Sequence, residues 1–182
     1  ILLMNEKKIA VIGYGSIGLR HAKILTELCC QVSVVSEREI DFSPSYKSVQ
    51  SAIESENPEY VVIANKTSDH YDTFSKLIEG GFEGIVLIEK PLFCNLREIP
   101  DNDFEEVFVA YNMRFHPLFV RLRDFLKSED IISVQVYVGQ YLPLWRPQRD
   151  YRLSYSSFKK EGGGVLRDLS HELDYLNWIC GG

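Results

Sequence analysis

The sequence predicts a doubly wound α/β domain with a parallel sheet, followed by the beginning of a second, α+β domain. A short apolar run at 8–12 leads directly into the pattern G-x-G-x-x-G at 13–18, and a helix-like stretch follows it. Strand-like and helix-like segments then alternate through the first hundred or so residues. The strand-like run at 60–64 is apolar throughout, as expected for a strand covered on both faces. Together these observations indicate βαβ units and a parallel sheet.

The predicted elements place a domain boundary near residue 117. Strands are predicted at 8–12, 31–35, 60–64, 84–88 and 106–110, and helices at 19–28, 46–54 and 68–80. The second domain, 118–182, begins with a helix at 118–127, a long strand at 131–141, a loop at 142–161 and a helix at 165–179. One strand and these helices cannot bury a core alone, so we expect this domain to be incomplete and the chain to be a fragment.

Composition agrees with a soluble globular enzyme. The 182 residues are 45% hydrophobic and 25% charged, close to the averages for such domains. The net charge of −6 argues against nucleic acid as a partner, because phosphate binders need a basic surface. No apolar run is long enough to span a bilayer. The four cysteines have neither disulfide-framework nor metal-ligand spacing, which favours a reducing cytoplasm and no metal.

The glycine-rich pattern predicts a dinucleotide-binding loop. Gly13 permits a tight turn, Gly15 lets phosphates approach the backbone, and Gly18 lets the helix sit close to the strand. Ser16 and Ile17 complete the loop at the helix N-terminus, where free N–H groups and a partial positive charge favour an anion. The alternative is an ordinary glycine-rich turn, which the flanking strand and helix disfavour.

The type of nicotinamide cofactor depends on the residues that follow the second strand. An acidic residue about 20 positions past the fingerprint binds the adenosine ribose of NAD, and Glu37 is the candidate. Ser36 and Arg38 are the alternative, since they could bind the extra phosphate of NADP. We expect NAD or NADP and favour NAD.

Lys90 follows the fourth predicted strand, in the run Glu89–Pro91. Ligands of doubly wound sheets lie beyond the carboxyl ends of the strands, so Lys90 is directed at the ligand crevice. A lysine there can donate to a hydroxyl or carbonyl, or act as a base if its pKa is lowered. The alternative is a solvated lysine after a strand.

A second group of candidate residues lies on the predicted helix at 165–179. Asp168, His171 and Asp174 are three positions apart and would share one helix face. A carboxylate beside an imidazole orients its tautomer and raises its pKa, which suits proton transfer. The alternative is a surface helix with ordinary ion pairs. The triple glycine at 162–164 favours the functional interpretation, because it supplies a backbone that can approach a ligand closely.

These motifs, in this order, resemble the glucose–fructose oxidoreductase/inositol dehydrogenase/MocA family of nicotinamide-dependent sugar dehydrogenases. The glycine fingerprint, the strand and loop from Val61 to His70, and the tripeptide Glu89–Pro91 are similar to the family's cofactor domain. The run Tyr111–Pro117 resembles its interdomain crossover, and 162–174 resembles its active-site helix in the second domain.

The resemblance implies roles for individual residues. Cofactor contacts are implied for Ala64, Thr67, His70 and Glu89 in addition to the glycine loop. Lys90 would hydrogen-bond the reacting hydroxyl, and Asp168 and His171 would orient the sugar, with His171 as the proton acceptor. The family spaces that aspartate and histidine by four residues, whereas here they are three apart, so either could accept the proton. Arg114, in the crossover, is an implied substrate contact.

The loop before the triple glycine suggests the substrate class. It combines two aromatic rings with three arginines, and the candidate contacts are Trp145, Arg146, Arg149 and Arg152. Arginine binds carboxylate or phosphate, and aromatic faces stack on sugars or bases. We therefore expect an anionic or nucleotide-linked sugar, whereas the alternative is a mobile surface loop. The family also implies a homo-oligomer for the full-length protein. The alternative function is a nucleotide-binding module, or an inactive fragment, without catalysis.

Overall fold

The computed structural model describes residues 7–145, 147–148 and 150–181. The chain divides into two compact units, Ile1–Val109 and Ala110–Gly182. The boundary predicted from the sequence lies near Pro117. The structure groups the intervening residues with the second unit, because the 3-10 turn Asn112–Phe115 packs against a helix at Ser170–Ile179. In the part of the chain that the structure describes, no helix has the length and apolarity needed to cross a membrane.

The first unit contains the predicted doubly wound parallel sheet, which is confirmed. Its strands are β1 (Lys8–Ile12), β2 (Gln31–Val35), β3 (Ser45–Tyr46), β4 (Tyr60–Ile63), β5 (Ile85–Ile88) and β6 (Glu106–Val109). Their order is β3-β2-β1-β4-β5-β6, and every pair is parallel. The order reverses at β1, which lies between β2 and β4. A doubly wound sheet binds its ligands beyond the carboxyl ends of the strands at such a switch point.

Helices cover both faces of this sheet. They are α1 (Ser16–Glu27), α2 (Val49–Glu56) and α3 (His70–Glu79). Alternate residues of β1 point to opposite faces: Ala10 and Ile12 pack in one cluster with residues of α2 and α3, and Ile9 and Val11 pack in another with Ala22 of α1. Burial on both faces explains why the inner strands are continuous apolar runs rather than alternating ones.

The helix predicted over 46–54 is wrong at its beginning. Tyr46 lies in β3, where it pairs with Val35, and the backbone N–H of Ser36 donates to the Tyr46 carbonyl at 2.9 Å. The helix begins only at Val49, because the Ser48 hydroxyl caps it by accepting from the N–H of Ser51 at 3.1 Å.

The second unit is helical in the residues described. Its helices are α4 (Pro117–Leu126), α5 (Leu142–Trp145), α6 (Val165–Asp168) and α7 (Ser170–Ile179), with 3-10 turns between them. Helices α4 and α7 pack together through rings. Phe119 stacks on Tyr175 with ring centroids 4.4 Å apart, and the Arg123 guanidinium lies 4.4 Å from the centre of the Trp178 ring.

Three predictions for the second unit are wrong. The segment 131–141 forms no strand, and its side chains are exposed. A strand needs a neighbouring strand for its hydrogen bonds, and the described residues of this unit contain none. The loop at 142–161 contains α5 and three 3-10 turns. The helix at 165–179 is interrupted at Leu169, whose φ of −105° and ψ of 35° are not helical.

Candidate functional site

The loop 13–18 connects β1 to α1, and two of its glycines are required by packing. Gly13 has a φ of +100°, and a side chain there would bring its Cβ within 2.6 Å of the Asn65 backbone nitrogen, after β4. A Cβ on Gly18 would overlap the carbonyl oxygen of Gly13 and contact the Ala64 methyl at 3.6 Å. These glycines let the loop close on itself and on the end of β4.

Gly15 is different, because a Cβ there would meet nothing within 4 Å. Its φ of −79° and ψ of −167° are extended backbone that any residue adopts, so neither strain nor packing requires a glycine. Gly15 is the N-cap of α1, no side chain caps this end, and the first turn contains no acidic residue. The first-turn N–H groups, including those of Ser16 and Ile17, therefore border open space that suits an anion.

The guanidinium of Arg38, three residues after β2 ends, contacts the glycine loop. Arg38 Nη2 donates to the carbonyl oxygen of Tyr14 at 3.1 Å, and the Arg38 N–H donates to the Ser36 hydroxyl at 3.2 Å. Ser36 is buried directly after β2, whereas Glu37 is exposed. The sequence offered Glu37 for the ribose of NAD, or Ser36 and Arg38 for the extra phosphate of NADP. Of these, Arg38 is hydrogen-bonded to the glycine loop, and Ser36 is hydrogen-bonded to Arg38.

Lys90 lies in the loop after β5, beside a contact that sequence reasoning missed. Glu89 Oε1 lies 2.7 Å from His21 Nε2 of α1, and Glu89 Oε2 accepts from the Lys90 N–H at 3.3 Å. His21 follows Gly18 by three positions and precedes the buried Ala22, so it lies towards the sheet-facing side of α1. The signal available in the sequence was a histidine, His21, next to the buried face of α1.

The other histidine near this loop lies in the core. His70 is 1% exposed, and its Nδ1 lies 3.1 Å from the carbonyl oxygens of both Pro91 and Leu92. Burial lowers the pKa of His70, although hydrogen bonds to backbone carbonyls oppose that shift. The ring is therefore neutral near pH 7 and donates through Nδ1. A cofactor contact by His70 stays a prediction, and its contacts in the structure are those of a residue that holds this loop.

Ala64 and Thr67, the other predicted cofactor contacts at this edge, are buried at 7% and 8% exposure. The Ala64 methyl lies beneath Gly18, as described above, and its N–H donates to the Ile12 carbonyl at 2.8 Å. Thr67 begins the 3-10 turn before α3. Both are buried where β4 ends, and direct cofactor contacts by them stay predictions.

In the second unit, the break at Leu169 separates two predicted site residues. Asp168 ends α6 and His171 lies in α7, so they do not share one continuous helix face. The His171 ring meets the Tyr111 ring edge-on, with centroids 5.7 Å apart. Their roles with substrate stay predictions.

Arg114, a predicted substrate contact, forms a two-point ion pair with Asp174. Its Nε donates to Asp174 Oδ2 at 2.9 Å, and its Nη2 donates to Oδ1 at 2.6 Å. The Asp174 side chain is 8% exposed, and its hydrogen bonds raise the pKa of the Arg114 guanidinium further. The pair joins the 3-10 turn to α7, which is a structural role. A substrate contact by Arg114 stays a prediction.

The loop proposed to recognise substrate is only partly described. Trp145 ends α5, whereas Arg146 and Arg149 lie outside the described residues. Arg152 Nη2 donates to Asp150 Oδ2 at 2.9 Å, and this contact lowers the pKa of the Asp150 carboxyl. The charge of Arg152 is therefore balanced within the loop.

Comparison with protein families identifies the first unit. Residues 7–103 match the profile of the Gfo/Idh/MocA group, described as an oxidoreductase family with an NAD-binding Rossmann fold. The chain belongs to the Gfo/Idh/MocA family. The match covers the glycine loop and Lys90, whereas the predicted site residues of the second unit lie beyond it. A comparison with curated protein sequences gives no match.

Solved structures with the same fold include dehydrogenases and proteins solved with NAD or NADH. GenD2 from gentamicin A biosynthesis, in complex with NAD, has 20% identity and a TM-score of 0.69 over 98% of this chain and 55% of its own. The WlbA (WbpB) dehydrogenase from Thermus thermophilus, with NAD and alpha-ketoglutarate, has 18% identity and a TM-score of 0.67 over 95% and 62%. Levoglucosan dehydrogenase, with NADH and levoglucosan, has 20% identity and a TM-score of 0.74 over 96% and 54%. The Gfo/Idh/MocA chain thus spans little more than half the length of these proteins.

Proposed function

We propose that this chain binds NAD(P) and belongs to an enzyme that interconverts a hydroxyl and a carbonyl of a sugar or nucleotide-linked sugar. One observation carries the proposal. The loop suited to phosphates and the loop bearing Lys90 leave β1 and β5 at the same edge of the sheet, and the 2.7 Å contact between His21 and Glu89 joins them. A nicotinamide cofactor needs both a phosphate site and a polar group beside the reacting carbon.

The residues of the first unit fit this cofactor. The open space at Gly15 and the uncapped N-terminus of α1 would hold the pyrophosphate, with Gly13 and Gly18 keeping the loop close to the sheet. When bound, the nicotinamide supplies the acceptor or donor of the hydride. His70 is buried and neutral, so it adds no positive charge where it contacts the loop after β5.

Lys90 would act on the oxygen of the reacting carbon. Its ammonium donates a hydrogen bond to the hydroxyl or carbonyl oxygen and stabilises the negative charge that develops there. Oxidation also releases the hydroxyl proton, and we assign its acceptance to His171, with Asp168 orienting the sugar. If Asp168 accepts the proton instead, the pH dependence of turnover follows the carboxyl group.

The substrate class rests on two supports. Proteins of the same fold include one solved with levoglucosan and another, the WlbA (WbpB) dehydrogenase, solved with UDP-GlcNAcA. The sequence of the loop from Trp145 to Arg152 supplies aromatic rings and arginines, residue types that bind sugars and phosphates, although Arg152 itself pairs with Asp150. We propose that the substrate is a nucleotide-linked or anionic sugar. The full-length protein would act on it as a homo-oligomer in the cytoplasm.

NADP is the second candidate cofactor, and a specific observation favours it. NAD is supported by the family and by the NAD and NADH complexes of its structural neighbours. However, Arg38 lies against the glycine loop and Ser36 occupies the buried position after β2, an arrangement that suits the extra phosphate of NADP. Fluorescence titrations with NADH and NADPH compare the two directly.

The test of function uses the full-length protein with NAD(P) and two substrates, UDP-GlcNAcA and levoglucosan. We expect NADH fluorescence to report binding, and absorbance at the nicotinamide band to report turnover of the nucleotide sugar in preference to levoglucosan. Binding without turnover of any sugar would support the nucleotide-binding module. Absence of NADH and NADPH binding would refute the cofactor assignment.

A further inference from the structure

We propose that His21 is a positioning residue for Lys90: through Glu89, it fastens the loop that carries Lys90 to the helix that receives the phosphates. The inference rests on the proposed function only in taking Lys90 as the group that acts on substrate. The inference adds to that function a residue far from Lys90 in sequence. It predicts that α1 and the loop after β5, which carries Lys90, behave as one rigid body.

The contacts form a continuous chain from α1 to Lys90. His21 Nε2 lies 2.7 Å from Glu89 Oε1, and Glu89 Oε2 accepts from the Lys90 N–H at 3.3 Å. The two oxygens of one carboxylate are thus divided between the helix and the lysine. Rotation of the carboxylate away from His21 would also disturb its contact with the Lys90 backbone.

Burial distinguishes this contact from ordinary surface pairs. The side chains of His21 and Glu89 are 25% and 20% exposed. On the same helix, Lys23 and Glu27 lie 3.9 Å apart with side chains 74% and 63% exposed. Exposed ion pairs contribute little to stability because water and salt screen their charges. A partly buried hydrogen bond to a charged group contributes more. Glu27 therefore provides a matched control on α1.

The far end of the same loop is already held. His70 contacts the carbonyl oxygens of Pro91 and Leu92, each at 3.1 Å. Because β5 ends at Ile88, the residues between the strand and these carbonyls are Glu89 and Lys90. The Glu89 N–H also donates to the Ile63 carbonyl at 2.9 Å, so loss of the His21 contact would release the Glu89 side chain and loosen Lys90 while the backbone at both ends stays in place. The expected defect is local, without unfolding.

Competitive acetylation with acetic anhydride at one fixed pH, analysed by mass spectrometry, tests this without a known substrate. The rate for Lys90 is measured relative to the exposed Lys76 of α3 in the same sample. In His21→Ala we expect relative labelling of Lys90 to rise about fivefold or more, the population change that loss of one such contact permits. In His21→Gln, whose amide nitrogen can still donate to Glu89, labelling should return towards the wild-type value.

The other variants define what the result means. Glu27→Gln should leave Lys90 labelling unchanged. Adding His21→Ala to Glu89→Ala should cause no further rise, because the two residues act through one contact. Wild-type labelling in His21→Ala would overturn the proposal. So would no recovery in His21→Gln. A large fall in the Tm of His21→Ala would also overturn it, because that fall would indicate general destabilisation.

The failure of this proposal is separable from failure of the proposed function. In His21→Ala, the Kd for NADH should change by less than about threefold, because backbone N–H groups hold the phosphates. A wild-type protein that binds neither NADH nor NADPH refutes the function, whereas the labelling result still decides whether His21 positions Lys90.

Discussion

Substitution of Gly15 by valine should separate folding from cofactor binding. A Cβ at Gly15 meets nothing within 4 Å, and the backbone angles of this residue are accessible to L-amino acids. The same substitution at Gly18 would overlap the carbonyl oxygen of Gly13. The chain therefore provides two glycines in one motif with opposite expected outcomes.

The expected magnitudes follow from this geometry. Replacing a glycine whose conformation other residues can adopt stabilises a protein by about 0.4–1 kcal/mol, because the unfolded chain loses freedom. Valine is a poorer N-cap than glycine, which offsets this gain by a similar amount, so Gly15→Val should unfold close to the wild-type temperature. The added methyl groups fill the space where phosphates approach. Loss of one hydrogen bond to a charged group costs about 1.5–3 kcal/mol, so Kd should rise roughly 10- to 150-fold.

NADH fluorescence titration and thermal unfolding measure the two quantities on the same samples. Gly139→Val is the matched control, because Gly139 lies in the second unit and a Cβ there also meets nothing within 4 Å. It should change neither measurement, whereas Gly18→Val should lower Tm markedly. Gly15→Val with unchanged Tm and unchanged affinity for NADH would refute the assignment of the phosphate site.

Other residues provide independent tests. Arg38→Ala should weaken NADPH binding by about tenfold or more while NADH binding changes little, the scale of one lost charged hydrogen bond; equal losses would remove Arg38 from cofactor selection. In the full-length enzyme, Lys90→Ala should lower kcat by roughly 10²-fold or more with little change in NADH affinity, and unaltered kcat would exclude its catalytic role. His171→Ala should remove the lower limb of the pH–rate profile; if Asp168→Asn removes it instead, the carboxylate accepts the proton. Burial lowers the pKa of His70, so below about pH 6.5 the unfolded state gains a proton that the folded state lacks, and stability falls by up to about 1.4 kcal/mol per pH unit. Urea unfolding at pH 7.5 and 5.5 should show a smaller loss in His70→Gln than in wild type, and equal losses would contradict this account.

The elements best predicted from the sequence are those whose residues are buried on both sides. The strand predicted at 31–35 coincides with β2, and the strands at 8–12 and 60–64 match β1 and β4 to within a residue. Continuous apolar runs bounded by polar or glycine residues identify such strands without knowledge of their partners. The glycine loop was predictable for a different reason, because its chemistry resides in residue type and spacing.

The errors occur where distant residues decide the local structure. β3 is two residues long and shows no periodicity, and it exists because Val35 pairs with Tyr46. The segment 131–141 has strand-like residues, but no strand in the described second unit pairs with it. The break at Leu169 lies in a stretch without glycine or proline, so no local residue indicates it.

The candidate site shows the same division between residue type and environment. The sequence identified Lys90 by its position after a strand, but its setting depends on His21, 68 positions before Glu89 in the chain, and on His70. A histidine in the core and a histidine against a carboxylate look alike in a sequence. In the structure, desolvation keeps one neutral so that it can donate to two carbonyls, while the other contacts a carboxylate near solvent. The tripeptide Glu89–Pro91 is therefore better understood as the meeting point of α1, β5 and the start of α3 than as a linear motif. If Lys90 has the catalytic role proposed above, a relative that retains the lysine but lacks partners for its loop would have the group without the means to position it.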